Sequence, residues 1–261
     1  MFIACPVVVG TGRIAQSLLR SLYENHIPIL ALQGRNEAQR KALAERWEVG
    51  MDSSIGDWIP KEANLVFIAV SDAAIPEVAR QLEGLRQPGR IFVHLSGSTD
   101  LNALAPLGEE VGVFYPLQMF TEEPGSFREV PLFLEGEGDV LTRLQDAASV
   151  FSAQVYRMSS AQRRRLHLAA VFVVNFPNLL YRLAEEQLAD TEADFSVFES
   201  ILQEQLRRVM ELGPAQSQTG PALRGDETTL QAHLQLLDGQ PEQQQLYRFI
   251  SQMINPNLSW E

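Results

Sequence analysis

The chain has 261 residues, of which 45% are hydrophobic, and its formal net charge is −12. This length and composition are typical of a globular protein with one large domain or two, and they allow a sizeable core. The acidic balance argues against nucleic acid and anionic membranes as partners and leaves room only for a local basic pocket that binds a phosphate. The single cysteine, Cys5, excludes an internal disulfide and a cysteine metal cluster, and we expect no metal site.

The N-terminal segment "MFIACPVVVGTG" is typical of a strand rather than of a signal peptide, because it has no basic leader and Pro6 and Gly10 interrupt it. No uninterrupted apolar stretch reaches the roughly 18 residues that span a bilayer. We therefore expect a cytoplasmic protein without a membrane partner.

Short apolar runs predict strands along the first half of the chain. They lie at residues 3–9, 28–33, 64–70, 90–95, 112–115 and 131–135. Helical patterns such as "IAQSLLRSLYENH" and "EAQRKALAERW" separate the first four runs. This alternation predicts a mostly parallel sheet with helices on both faces.

From about residue 157 the pattern is helical, with polar or Gly/Pro-containing breaks between the helices. We therefore predict an α/β domain at residues 1–157 and an all-helical domain at residues 158–261. The active site is expected in the cleft between these domains.

The segment "VVVGTGRIAQ" places a Gly-x-Gly-x-x-Ala motif between the first strand and a helix. The first glycine permits a tight turn, the second lets backbone amides approach a pyrophosphate, and the alanine allows close packing of helix on strand. This context predicts a Rossmann-type dinucleotide site, against the alternative of a purely structural turn. The cofactor-binding residues predicted here are Gly10, Thr11, Gly12, Arg13 and Ile14.

The end of the second strand predicts NADP rather than NAD. An NAD site usually has an acidic residue about 20 residues beyond the motif, whereas "ILALQGRNEAQR" has Arg35 and Asn36 in this region. A guanidinium there can bind a 2′-phosphate, and Arg13 could add a second positive charge. The alternative for Arg35 is a solvated residue at a helix start. Val70 and Ser71, after the third long run, are further cofactor candidates, with Asp72 expected to cap the next helix.

Polar residues stand in the apolar helix "RRRLHLAAVFVVNFPNLLY". At 100° per residue, His167, Asn175 and Asn178 share one face, and the helix is predicted to be buried on most sides. These polar groups either bond to neighbouring loops or line an active site. The three arginines at 163–165 are predicted to form a solvated helix start, with the alternative that one of them faces the cleft.

Further polar residues predict substrate contacts. "HLSGS" supplies Ser96 and "QTGPALRGDETTL" supplies Arg224, which could hold a substrate carboxylate, and Asp226, for which helix capping is the alternative. The candidate substrate-binding residues are Ser96, Gln118, Thr219, Arg224 and Asp226.

The motif order, with "HLSGS", "YPLQMF", the His167 helix and "TGPALRGD", resembles Rossmann-like NADP oxidoreductases whose C-terminal helical domain has no known function. Their wider superfamily includes 6-phosphogluconate dehydrogenase, ketopantoate reductase and pyrroline-5-carboxylate reductase. Relatives often show "HPLQTF", where this chain has Tyr115 and Met119, so the resemblance supports no histidine in that loop.

The resemblance implies catalytic roles for two residues. Some superfamily members carry a catalytic lysine on the first long helix of the second domain, with an asparagine four or eight residues later. The only lysines here are Lys41 and Lys61. His167 then takes the position of the general acid, since imidazole exchanges protons near neutral pH, and Asn175 either binds the substrate oxygen or orients the ring.

The predicted function is NADP-dependent hydride transfer between nicotinamide and a carbonyl or imine carbon of a small, carboxylate-bearing metabolite. The alternative is a non-catalytic NADP-binding or sensor protein that keeps the fold. Apolar stretches such as "FSVFESILQEQL" and the superfamily resemblance predict a homodimer formed through the helical domain.

Overall fold

A computed structural model describes residues 2 and 4–260 and divides the chain into two compact units, Met1–Pro177 and Asn178–Glu261. The domain boundary predicted after residue 157 therefore differs from the end of the first unit. The helix that follows residue 157 belongs to the first unit because Arg163 and His167 contact the loops of the sheet.

The first unit contains an eight-stranded sheet in the order β3-β2-β1-β4-β5-β6-β7-β8. Neighbouring strands are parallel except β6 and β7, which are antiparallel. The strands are β1 Pro6–Val9, β2 Ala31–Gln33, β3 Asp52–Ser53, β4 Leu65–Ile68, β5 Ile91–His94, β6 Val111–Pro116, β7 Leu132–Glu135 and β8 Val155–Arg157. This confirms the predicted mostly parallel sheet; the expected start at Ile3 lies outside the described residues, and β3 and β8 were not predicted.

Helices cover both faces of this sheet. Along β4, Leu65 and Phe67 join one apolar cluster while Val66 and Ile68 join another, so both faces of the strand are buried. The helices of the first unit are α1 Arg13–Glu24, α2 Glu37–Arg46, α3 Ile75–Leu82, α4 Gly138–Ser149 and α5 Ser160–Ala170.

The helix that starts at Ser160 is continuous to Glu186 but changes geometry. Ser159 and Gln162 form a reciprocal capping box that fixes its start. A π-helical turn, Val171–Asn175, separates α5 from α6, Phe176–Glu186. Because a π-turn widens the spacing of backbone hydrogen bonds, the 100° arithmetic that put His167 and Asn175 on one face does not hold across it.

The prediction that this helix is buried on most sides was wrong, because several of its apolar side chains are exposed in the single chain. Leu168 is 56% exposed, Phe172 58% and Val173 72%. Among the described residues, one helix, Ser160–Glu186, is long and apolar enough to cross a membrane by length and composition alone. The expectation of a cytoplasmic protein without a membrane partner therefore stays a prediction.

All the secondary-structure elements in the described part of the second unit are helices. After the end of α6, its helices are α7 Glu199–Leu212, α8 Pro221–Arg224, α9 Glu227–Leu236 and α10 Pro241–Ile254. Its small core centres on Ala222, Leu230 and Leu258. Proline at the first turn of α8 and α10 fixes where these helices begin.

Candidate active site

Four neighbouring parallel strands, β1, β4, β5 and β6, end at the same edge of the sheet. Gly10 follows β1, Val70 follows β4, Gly97 lies in the loop after β5, and Tyr115 lies near the end of β6. Ligands of open α/β sheets bind outside this carboxyl edge. The predicted cofactor residues Gly10 and Val70 therefore lie at the same edge of the sheet as Gly97 and Tyr115.

The glycine motif has the geometry that its sequence predicts. Gly10 has φ 127°, and a Cβ there would lie 2.2 Å from the carbonyl oxygen of Ala69. Only glycine fits that backbone and that contact. Ala15 is fully buried in the core, which allows α1 to pack closely on the sheet.

The start of α1 fits a pyrophosphate. A Cβ on Gly12 would meet nothing within 4 Å, and the first turn of the helix holds no acidic residue. Gly12 caps α1 without a side-chain hydrogen bond, so no capping side chain occupies the backbone amides of Arg13 and Ile14 at the positive end of the helix dipole. These residues would hold the diphosphate of the cofactor.

The end of β2 lies against this motif. A Cβ on Gly34 would stand 2.7 Å from Cγ2 of Thr11, so the two loops touch. Arg35 is exposed and makes no hydrogen bond or ion pair with any described residue. The side-chain oxygen of Asn36 accepts from the backbone amide of Gln39 and caps α2, which leaves its amide nitrogen for a ligand. Arg35 is thus the cation available beside the ribose position.

The nearby carboxylate is already paired. Nε of the buried Arg40 lies 2.7 Å from Oδ2 of Asp52, and Nη1 donates to the carbonyl oxygen of Gly34. Gln33 turns inward and donates to the carbonyl oxygen of Asp57. Neither Asp52 nor Gln33 is placed to take the role of the missing acidic residue.

In the loop after β4, Asp72 does not take its predicted capping role. Val70 packs beside Gly10, and the exposed Ser71 precedes a short 3-10 turn without a side-chain cap. The carboxylate of Asp72 accepts a hydrogen bond from Ser98 Oγ instead of capping the helix, so that prediction was wrong. This bond ties the loop after β4 to the loop after β5.

Ser96 organises the loop after β5. Its buried hydroxyl accepts from the backbone amides of Ser98 and Thr99, and its own amide donates to Nδ1 of His94. Burial lowers the pKa of His94 to about 4, so this ring is neutral at neutral pH. His94 is a buried histidine at the end of β5, and the Ser96 hydroxyl is engaged within its own loop.

His167 meets this loop and β6. Its Nδ1 lies 3.2 Å from the hydroxyl oxygen of Tyr115, a side chain only 7% exposed. A Cβ on Gly97 would stand 2.7 Å from Nδ1 of His167 and 2.7 Å from Cζ of Tyr115. Glycine at position 97 therefore makes room for the pair. The sequence did not identify Tyr115, although its replacement of histidine in the "HPLQTF" pattern was a visible signal.

Arg163 anchors the helix that carries His167. It is fully buried, donates to the carbonyl oxygens of Ser96 and Thr99 at 2.8 and 2.7 Å, and pairs with Glu135 at 3.0 Å. The predicted solvated helix start is therefore wrong for Arg163, because Glu135 at the end of β7 supplies a buried partner.

The remaining candidates are Gln118 in the first unit and Thr219, Arg224 and Asp226 in the second. Gln118 donates to the carbonyl oxygen of Ser126 and packs on Gly125. In the second unit Asp226 accepts from the amide and hydroxyl of Thr229, so the capping alternative is confirmed.

The second unit also offers an exposed cation. The side chain of Arg224 is 64% exposed, and its ion-pair distance to Asp226 is 3.8 Å. Thr219 lines an apolar cavity of about 460 Å³ with Leu180 and Tyr247.

No group of three or more metal-ligating side chains occurs among residues 2 and 4–260.

Comparison with known proteins identifies the family. Residues 7–96 match the model described as NADP oxidoreductase coenzyme F420-dependent, and residues 130–254 match a domain of unknown function, DUF2520. A Bacteroides fragilis protein described as a candidate NADP oxidoreductase is 33% identical over 97% of this chain and 99% of its own, with a TM-score of 0.87. The chain belongs to this NADP oxidoreductase family. It is an NADP-dependent oxidoreductase, and the predicted cofactor is confirmed.

More distant structures share the fold of this oxidoreductase. An imine reductase from Myxococcus stipitatus in complex with NADP+ is 17% identical, covers 96% of this chain and 91% of its own, and has a TM-score of 0.64. A prephenate dehydrogenase from A. aeolicus, in complex with hydroxyphenyl propionate and NAD+, is 16% identical over 97% and 96%, with a TM-score of 0.56. A comparison with curated proteins gives no match.

Proposed function

We propose that this oxidoreductase reduces a carbonyl or imine carbon of a small, carboxylate-bearing metabolite, with His167 as the proton donor. The observation that carries the proposal is the His167 imidazole held against Tyr115 and Gly97 at the carboxyl edge of the sheet that carries the glycine motif. The reduced nicotinamide supplies the hydride when the cofactor is bound. The residues of the chain supply the proton and orient the substrate.

The proton has one plausible donor in this cluster. Tyr115 is buried and its pKa is raised by burial, and His94 is fully buried, whereas His167 is partly exposed. The helical part of the chain has no lysine. Imidazole can lose and regain a proton near neutral pH, which suits a donor that must recover in each cycle.

The substrate carboxylate needs a cation, for which we propose Arg224. Its guanidinium is exposed and its ion pair with Asp226 is long, so little binding energy is lost when it takes a new partner. Thr219 and the amide of Asn175, both exposed, are proposed as further substrate contacts.

Oxidation of NADPH, followed by absorbance, tests this function. The panel contains pyruvate, 2-oxoglutarate, 2-methyl-1-pyrroline and 1-pyrroline-2-carboxylate, which compares carbonyl with imine and carboxylate with no carboxylate. Turnover of a carboxylate-bearing member that is lost in Arg224→Ala supports the proposal. Binding of NADPH without turnover of any member favours the alternative of a sensor protein.

NADPH is expected to bind more tightly than NADH, because Arg35 is unpaired among the described residues and Asp52 is neutralised by Arg40. Arg35→Ala should weaken NADPH binding about tenfold to a hundredfold, the range of a hydrogen bond to a charged group, and leave NADH binding unchanged. Fluorescence titration of both cofactors measures the difference. The control is Lys41→Ala, which removes a cation of α2, the helix that follows Arg35, and this cation is already paired with Glu37. Equal affinities of the wild type for the two cofactors would contradict the role of Arg35.

A homodimer formed through the helical region is also expected. The apolar side chains of Val197, Ile201, Leu206 and Met210 are 54–78% exposed, and soluble monomers rarely expose large apolar patches. Ile201→Glu should shift sedimentation at micromolar concentration from dimer to monomer in detergent-free buffer. The control is Gln205→Glu, which adds the same charge at an exposed polar position of α7. A monomeric wild type would contradict this expectation.

A further inference from the structure

Tyr115 is more deeply buried than the histidine that it contacts. Its ring packs with Val113 and Phe133 in an apolar cluster of the first unit and is 7% exposed. The hydroxyl reaches out of this cluster to Nδ1 of His167, with the two rings nearly perpendicular at 72°. The tyrosine is therefore the more buried partner of the pair.

The tyrosine is neutral in this pair. Burial raises the pKa of its phenol above the ordinary value; Asp72 adds to the rise and Arg163 opposes it. A neutral hydroxyl can accept a hydrogen bond from Nδ1–H or donate one to an unprotonated Nδ1. A phenolate would instead form an ion pair with the imidazolium and hold it charged, which would weaken it as an acid.

We propose that Tyr115 is a positioning residue that engages Nδ1 of His167 and so leaves Nε2 as the ring nitrogen that exchanges a proton with the substrate. This rests on the proposed function of His167. In the reduction, the Nε2–H bond of the imidazolium breaks and its proton goes to the substrate oxygen or nitrogen. The C=O or C=N π electrons would take up this proton, and a bound reduced nicotinamide would supply the hydride for the new C–H bond. The neutral imidazole keeps Nδ1–H on the Tyr115 oxygen, so no charge is stranded in the apolar cluster.

Gly97 supports the same assignment. A Cβ at this position would lie 2.7 Å from both members of the pair, on the side of Nδ1. The backbone of the loop after β5 thus closes off the Nδ1 side of the ring. Two independent features, the hydroxyl and the glycine, act on the same nitrogen.

The pair is tested first without a substrate, by two-bond proton–nitrogen spectra of the four histidines in the full chain. Signals that vanish in His167→Gln assign His167. Tyr115→Phe keeps the ring and deletes the hydroxyl. We expect the chemical shifts of both ring nitrogens of His167 to change and to approach the average of the two tautomers. The control Tyr156→Phe alters an exposed tyrosine that stacks on the same Phe133 and whose hydroxyl bonds to no described residue. Unchanged His167 signals in Tyr115→Phe would overturn the proposal.

Turnover of the panel member that the wild type reduces fastest then distinguishes failure of this proposal from failure of the proposed function. Tyr115→Phe should lower kcat about tenfold, with KM within about twofold and NADPH affinity unchanged, and should cost nothing further in the His167→Gln background. An equal loss in both backgrounds would overturn the positioning role while the function of His167 stands. Full turnover in His167→Gln would overturn the proposed function and this inference with it.

Discussion

Replacing His167 with Gln is expected to lower turnover by about 10²- to 10⁴-fold, the usual contribution of a positioned acid or base. The affinity for NADPH should change little, because the residues that would hold its phosphates lie at the start of α1 and at the end of β2. Single-turnover and steady-state oxidation of NADPH measure the effect. The control is His233→Gln, which removes the other histidine that bonds a tyrosine hydroxyl, Tyr247 at 2.7 Å.

A purely structural histidine would give the reverse result. Stability would then fall by about 1 to 3 kcal/mol as Tyr115 loses its partner, and turnover per folded molecule would stay unchanged. Asn175→Ala should resemble the catalytic result more weakly and should raise KM, since the exposed amide is proposed to hold substrate. All variants must be compared at equal folded fraction.

The sequence predicts the sheet well because its central strands are short, continuous apolar runs that are buried on both faces. The glycine motif could also be predicted from the sequence. Gly10 is required by its backbone conformation and close contact, and Gly12 leaves open space for a ligand. The two strands that were missed, β3 and β8, have two and three residues and lie at the edges of the sheet. Edge strands bury less apolar surface, so their pattern is weak.

The contacts of the candidate site were not readable in the same way. Tyr115 and His167 are 52 residues apart in the chain, and Arg163 and Glu135 are 28 apart. No local period encodes such pairs. The π-turn at Val171–Asn175 is likewise invisible to arithmetic that assumes an α-helix throughout. An apolar helix pattern shows that a surface must be covered, but not whether the same chain covers it.

Arg163→Met is expected to destabilise the first unit by about 3 to 5 kcal/mol, the cost of breaking a buried pair by removing one partner. The change leaves Glu135 unpaired in a site where its own side chain is 17% exposed, and it removes the donor for the carbonyl oxygens of Ser96 and Thr99. Methionine and arginine have similar helix propensity, so the helix itself loses little. Urea unfolding followed by Trp47 and Trp58, in a Trp260→Phe background, measures the first unit separately.

The neighbouring arginine provides the control. Arg164 is half exposed and pairs with Asp100 at 2.9 Å on the surface, so Arg164→Met should cost less than about 1 kcal/mol. The double variant Arg163→Met with Glu135→Gln should recover part of the loss, because the unpaired buried charge is removed. Equal effects of the two arginine changes would contradict a stabilising role for the ion pair between Arg163 and Glu135. The loss of Arg163 should also lower turnover per folded molecule, since His167 lies one helical turn after it and would no longer be held against the loop at Gly97.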